Sequence, residues 1–306
     1  MISISVGGVT LGLVISNCLS GWICSSYAIG GWPTSFYTYS ILGVIWVIIW
    51  VTLIYETPNE DLCISKKEVE YINRGVTQSH QKNVPWRAIL MSPPVWAIVI
   101  SDTMFEFAWN LVLLEIPMFL STIFECDVLT AGGLTSAPLA ARFITCLLTA
   151  VAADYIIQRE YLSILKTRKL FAIIDLGVSA ACFFIMSYVG HSLVASVVLL
   201  IISFSALGFN TSSVDTNPAD ISPNYAGIIA GLMMSISSCT GFVVPIITGL
   251  LLEEHNTFKE WSVLFQLTAG IELFGLVFYL IFAKGEEQEW SKTEAIEETE
   301  NLVIKE

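Results

Sequence analysis

The stretch Thr130–Asp154, TAGGLTSAPLAARFITCLLTAVAAD, decides the class of this chain. A bilayer crossing takes about 20 residues. This stretch has that length and holds one charge near mid-depth, Arg142, before Asp154 closes it. Directly after it, ADYIIQREYLSILKTRKLF places Arg159, Lys166, Arg168 and Lys169 between apolar helices. Positive loops stay on the cytoplasmic side, so the segment gives a span, a sidedness and a buried cation that needs a partner.

Composition extends that reading to the whole chain. Of 306 residues 55% are hydrophobic and only 13% charged, with a mean hydropathy of +0.71. A soluble domain carries about 25% charge, so the chain reads as an all-α integral membrane protein. A net charge of −13 with no basic block gives no reason to expect nucleic acid as a partner. The seven cysteines are scattered, without CxxC or Cys/His ligand spacing, and read as buried free thiols. HExxH, GxSxG and Walker A patterns are absent from the sequence, and its three histidines fall in loops. Neither enzyme chemistry nor a cofactor is expected. The opening ISISVGGVTLGLVISNCLSGWIC lacks a basic n-region and continues as a full span, unlike a signal peptide.

Hydropathy predicts eight spans, near residues 2–24, 36–55, 94–122, 131–153, 170–189, 192–211, 225–252 and 262–283. Residues 56–92 form the one long hydrophilic connection. Within it Ser65-x-x-Glu68 is a capping box that predicts a short surface helix over 66–74. Gly8-x-x-x-Gly12 and Gly227-x-x-x-Gly231 predict close helix contacts. Alternating sides groups 56–92, 154–169, 212–224 and the tail, which together hold twelve of the fourteen Lys and Arg residues. That side is expected to be cytoplasmic. Asn210-Thr211-Ser212 matches a glycosylation sequon on that side and is expected to be unused.

A charge at the bilayer centre costs about 2.5–3.5 kcal/mol on insertion scales, so each needs a reason. Asp102, Glu106 and Asn110 recur every four residues and share one face of the third span. Helices joined by a short loop are usually neighbours, so Glu106 and Arg142 are expected to share one mid-membrane polar cavity. There Arg142 attracts an anionic substrate, while Glu106 titrates or coordinates a coupling ion. The alternatives are a static structural ion pair or a Glu106 that is simply protonated. Glu115 is expected to face another helix or the outer vestibule, Glu272 to be structural or protonated, and Asp175 to form a local salt bridge with Arg168 or Lys169. Ser235, Ser238 and Thr240 are expected along a pathway, with Gly241 and Pro245 permitting a bend.

Several ordered pieces carry a resemblance: Gly31-Trp32-Pro33 with Phe36-Tyr37; Tyr55-Glu56-Thr57-Pro58; Pro85-Trp86-Arg87-Ala88-Ile89-Leu90; Ala153-Asp154 leading to Arg159 and Arg168-Lys169; Asp220-Ile221-Ser222-Pro223 with Tyr225-Ala226-Gly227; and Phe278-Tyr279-Leu280-Ile281-Phe282. In these the chain resembles the later two-thirds of solute carrier family 17, the major facilitator group of sialin, vesicular glutamate transporters and sodium–phosphate cotransporters. The resemblance implies a bundle of twelve helices in two halves, with substrate between them and alternating access. The eight spans then look like helices 5–12, about four helices being absent ahead of them, as in a fragment, a truncated isoform or an incomplete gene model. On this mapping 1–55 is the remainder of the first half, 56–92 the loop between halves, 93–284 the second half and 285–306 an acidic cytoplasmic tail.

The mapping also gives roles. Asp154, Arg159, Arg168 and Lys169 correspond to a conformational-switch loop. Phe105 stands where vesicular glutamate carriers have an arginine, and Asn110 where sialin has a tyrosine. Arg142 and Glu272 occupy positions usually apolar in the family, Ala150 replaces a common glycine, and Asn224 a basic residue. Arg142, Asn110, Phe105 and Ser238 are therefore expected to bind the substrate, and Glu106 and Asp102 the coupling ion, Na⁺ or H⁺. The function that follows is secondary transport of an organic or inorganic anion in a plasma, lysosomal or vesicular membrane. The alternative is a truncated, non-transporting membrane protein that scaffolds or regulates a full-length partner.

Overall fold

The computed structural model describes residues 2–25, 31–55, 64–65, 67–69, 84–253 and 255–292. Among these residues eight helical stretches are long and apolar enough to cross a membrane, the sixth running over Leu193–Ile221. We label them α1 Ile2–Ser25, α2 Trp32–Leu53, α3 Pro93–Ile123, α4 Val128–Gln158, α5 Ile164–Val189, α6 Leu193–Leu207, α7 Ala226–Leu252 and α8 Phe258–Phe282. Their number and order agree with the hydropathy reading. No strand occurs among the described residues.

Contacts divide the chain into two compact units, residues 1–21 with 85–306, and residues 22–84. The cut therefore falls inside α1 and not at the loop between the expected halves. In the smaller unit α2 starts at Trp32-Pro33, where proline suits the first helical turn. Trp32 and Phe36 meet edge to face at 6.0 Å, and Trp46 and Trp50 lie at 5.9 Å. The α2 side chains from Ile41 to Leu53 that are large and apolar are all exposed, a surface suited to lipid or to another helix. The capping expectation at Ser65 holds locally, since its hydroxyl accepts from the Glu68 amide at 3.3 Å. Residues 70–74 of the expected helix lie outside the described residues.

In the larger unit α3 is the central element, packed on both α7 and α8. Helix α5 packs on α8 and α6, and α6 also lies along α4. Phe119, Trp261 and Phe265 form an aromatic core where α3 meets α8, with ring centroids 5.1–6.1 Å apart. Helix α1 runs against α4. A Cβ on Gly132 would stand 3.2 Å from the Asn17 carbonyl and 3.6 Å from the Gly21 Cα. Such closeness favours glycine at position 132, where small residues let helix backbones approach. The two predicted small-residue motifs are not contacts: Gly8, Gly12, Gly227 and Gly231 all face open space.

Three boundaries differ from expectation, each for a physical reason. Helix α4 continues to Gln158, and α5 begins at Ile164, where the Ser163 hydroxyl caps the Lys166 amide at 3.5 Å. The expected loop over 154–169 thus shrinks to five residues, 159–163. After α6 the polar segment expected as a loop over 212–224 folds into the bundle. It forms a 3₁₀ turn Asn210–Ser212 and a short helix Asn217–Ile221, with Ser213, Asn217 and Ser222 at 0% exposure. Helix α7 is interrupted at Ser238–Cys239, ahead of Gly241 and Pro245. At the start of α4, outside the span, the Thr130 hydroxyl donates to Asp127 at 2.5 Å and holds that carboxyl below its usual range.

Candidate substrate and coupling-ion site

Arg142 lies at the middle of α4 and is 4% exposed. Its Nη1 donates to the Thr10 hydroxyl of α1 at 2.7 Å, and its Nε has no hydrogen-bond partner. The guanidinium carbon sits 4.4 Å from the Trp109 ring centroid and 5.6 Å from that of Phe105. Those two α3 rings are one turn apart and stack at 6.4 Å, and Trp109 stacks on Phe204 of α6 at 5.4 Å. Aromatic faces attract a cation without neutralising it. Among the described residues no carboxylate reaches salt-bridge distance of Arg142.

Glu106 is nearby but not bonded to it. Phe105 and Trp109 of α3 place their rings against the arginine, whereas Glu106 is held by Asn110. The two charges interact through space. Asn110 donates to the Glu106 carboxylate at 3.2 Å and to the Thr240 hydroxyl at 3.0 Å, tying α3 to α7. One turn back, Asp102 is 4% exposed, near Ser237 and Asn210, and faces Asp215. Asp215 accepts from Asn210 at 3.1 Å and also feels Arg142. The Asn210 side chain is buried, which closes the sequon to glycosylation. The centre of the bundle therefore holds one cation among Glu106, Asp102 and Asp215, with Asn110, Thr240 and Ser237 between them.

The sequence-expected residues divide accordingly. Arg142, Phe105, Glu106, Asp102 and Asn110 come together. Ser238 and Ser235 are exposed, whereas Ser237 and Thr240 of the same helix point inward. Asp215, Trp109, Thr10 and Ser237 were missed. Glu115 is buried at the end of a π-turn, Leu111–Glu115, just before Pro117. Asp175 makes no salt bridge. Two turns separate it from Arg168, and both of its oxygens lack a partner.

Arg168 belongs to a second cluster, at the basic end. Its Nε and Nη2 grip Asp220 at 2.8 and 3.3 Å, and Nη1 donates to the Ser212 carbonyl at 2.6 Å. Lys169 donates to the Leu280 carbonyl at 2.7 Å. The other two residues of the expected switch loop stand apart: Asp154 is exposed, and Arg159 lies over the Tyr155 ring at 5.6 Å. The start of the acidic tail docks here. The Gln288 amide donates to Ile221 at 2.9 Å, Ser222 bonds Ser291 at 3.1 Å, and Ser291 is fully buried.

Residues 1–245 match the Major Facilitator Superfamily model. The chain belongs to that superfamily. Within it the chain is 34% identical to sialin of Homo sapiens over 95% of its own length and 58% of the relative. It is 30% identical to sodium-dependent phosphate transport protein 3 of Mus musculus, over 95% of the chain and 60% of the relative. Vesicular glutamate transporter 3 of Danio rerio is 30% identical, over 92% of the chain and 48% of the relative. These are the groups that the sequence motifs resemble. The chain thus spans about half to three-fifths of the length of such relatives. It is a multi-pass membrane protein whose superfamily relatives are transporters, and in it Arg142 lies buried in the larger compact unit.

Proposed function

We propose that the protein is a cation-coupled secondary carrier of a small anion, working by alternating access in a plasma, lysosomal or vesicular membrane. The relatives' names point to phosphate or glutamate as the first anions to try. Arg142 receives the anion, with Phe105 and Asn110 beside it, and Glu106 with Asp102 takes Na⁺ or H⁺. Nucleic acid has no part, and the Arg168 end faces the cytoplasm.

One observation carries this reading: a mid-membrane guanidinium that is buried, held by a hydroxyl and two rings, and left with a free Nε. A structural arginine at such depth is normally neutralised by a carboxylate. The planar fork suits phosphate or carboxylate. An anion that occupies Arg142 also withdraws the positive charge that Glu106 and Asp215 feel. A cation arriving at the carboxylates restores the balance, so the two binding events favour each other, and linkage makes that coupling reciprocal.

The test is uptake of labelled phosphate and of labelled glutamate into liposomes containing the protein, under an imposed Na⁺ gradient, an imposed pH gradient, or neither. One gradient should drive accumulation of at least one anion. Glu106→Gln should retain exchange at equilibrium yet lose gradient-driven accumulation. Uptake of neither anion under either gradient would favour the scaffold reading, and full accumulation by Glu106→Gln would remove Glu106 from the coupling site.

A further inference from the structure

A separate set of buried oxygens lies away from Arg142, between α5, α6 and α8. Asp175 sits in a π-turn of α5, Ile173–Val178, and Ser179 follows one turn later. Ser203 comes from α6 and Glu272 from α8. Asp175, Ser179 and Glu272 are 0% exposed and Ser203 is 1% exposed. Ser179 donates to Glu272 Oε1 at 2.7 Å, and its oxygen lies 2.8 Å from the Ser203 hydroxyl. Since the one Ser179 hydrogen goes to Glu272, Ser203 must donate to Ser179.

Counting hydrogens exposes a deficit. Two carboxylates and two hydroxyls supply two hydrogens, and both are used. Asp175 Oδ1, Asp175 Oδ2 and Glu272 Oε2 remain buried with no donor. Arg168 and Lys169 are committed elsewhere, to Asp220 and to the Leu280 carbonyl, and Arg142 acts on Asp175 only through space. On α8, seven residues beyond Glu272 and so on the same face, the Tyr279 hydroxyl is fully buried, unpartnered, and within electrostatic reach of Asp175. The other titratable or charged groups that face the pair are Cys182 on α5, Asp102 on α3, Asp215 after α6 and Arg142 on α4. Of these five groups only Arg142 is positive, and buried carboxylate oxygens without a donor are costly. A proton or a small cation bound between the two acids would supply what these oxygens lack.

We propose that Asp175 and Glu272, with the hydroxyls of Ser179 and Ser203, form a second cation site, distinct from Glu106 and Asp102, that holds Na⁺ or an exchangeable proton. Carboxylate and hydroxyl oxygens are the ligands a small hard cation takes. The same oxygens would be completed by protons on the two acids. The π-turn at Asp175 loosens the backbone bonding of α5 at that level, a feature frequent at functional sites. In the proposed transport cycle such a site would carry a second coupling charge, and the inference rests on that reading only for this role. Cation binding itself is tested without transport.

The purified protein in detergent would be examined in two ways. Its unfolding midpoint would be followed while Na⁺ replaces choline at constant ionic strength, and its carboxylic-acid C=O stretch by infrared difference spectroscopy across a pH step. Three variants are compared with wild type and with Glu106→Gln: Asp175→Asn, Glu272→Gln and Ser179→Ala. Na⁺ stabilisation that survives in Glu106→Gln and is lost in both carboxylate variants identifies a sodium site. Ser179→Ala keeps both acids and should raise the half-saturating Na⁺ about tenfold, so a folding defect in one carboxylate variant does not leave the question open. A pH-dependent C=O band present in wild type and Glu106→Gln but missing in Asp175→Asn or Glu272→Gln identifies an exchangeable proton. The proposal is overturned if both responses persist unchanged in all three variants, if neither is seen in wild type, or if the C=O band is insensitive to pH and Na⁺, as for a permanently protonated structural pair.

Discussion

Arg142 and Arg168 are the same residue type, each in a helix of one compact unit, and the fold treats them in opposite ways. Arg168 sits near a helix end, gives Asp220 a two-pronged grip, and passes a third hydrogen to the Ser212 carbonyl. Arg142 sits where the dielectric cost is highest, and has one hydroxyl, two aromatic faces and an idle Nε. A cation completed by its own chain holds structure together. A cation left incomplete at mid-depth is available to something that comes and goes.

The largest effect that would sharpen the contrast falls on Arg168. Its replacement by alanine strands Asp220 in a mostly buried setting, and breaking such a pair costs about 3–5 kcal/mol. Thermal unfolding in detergent should show a large fall in midpoint for Arg168→Ala. A fall no greater than for an exposed arginine such as Arg159→Ala would mean that the cluster contributes little. A smaller effect separates two neighbouring serines of α7. Ser237→Ala removes a hydroxyl beside Asp102, and a lost polar neighbour is worth about 1 kcal/mol. The concentration of the coupling cation giving half-maximal uptake should rise several-fold. Ser238→Ala, on the exposed side, should leave it unchanged, and the reverse order would place the ion path on the other face of α7.

The number and order of the helices were legible because length and hydropathy are enough to define a membrane span. The Asp102–Glu106–Asn110 face was legible for the same kind of reason, a period of four on one helix. What escaped depends on tertiary partners. The run VDTNPADISPN, residues 214–224, has loop composition, so Asp215 was set outside the membrane, yet its polar groups find buried partners after α6. A signal was present at the start of α5. Thr167, Arg168, Phe171 and Ala172 are buried at helical spacing, and a stripe with that period argues for helix even with one basic residue in it. The glycine motifs misled because spacing of four shows only that a face is smooth. The glycines that meet, Gly21 and Gly132, lie on different helices and form no motif in sequence. Helix adjacency likewise brought Arg142 near α3, but it could not show that aromatic rings, and not Glu106, would touch the guanidinium.

The most direct test compares Arg142→Gln with Arg168→Gln in one preparation, measuring anion uptake and unfolding midpoint for both. Loss of a buried charged contact of about 2–5 kcal/mol exceeds one decade in binding. Arg142→Gln is therefore predicted to lower uptake more than tenfold while its midpoint stays within a few degrees of wild type, and Arg168→Gln to lower the midpoint sharply. Wild-type uptake by Arg142→Gln, or a midpoint that falls as far as that of Arg168→Gln, would contradict the account and make both arginines structural.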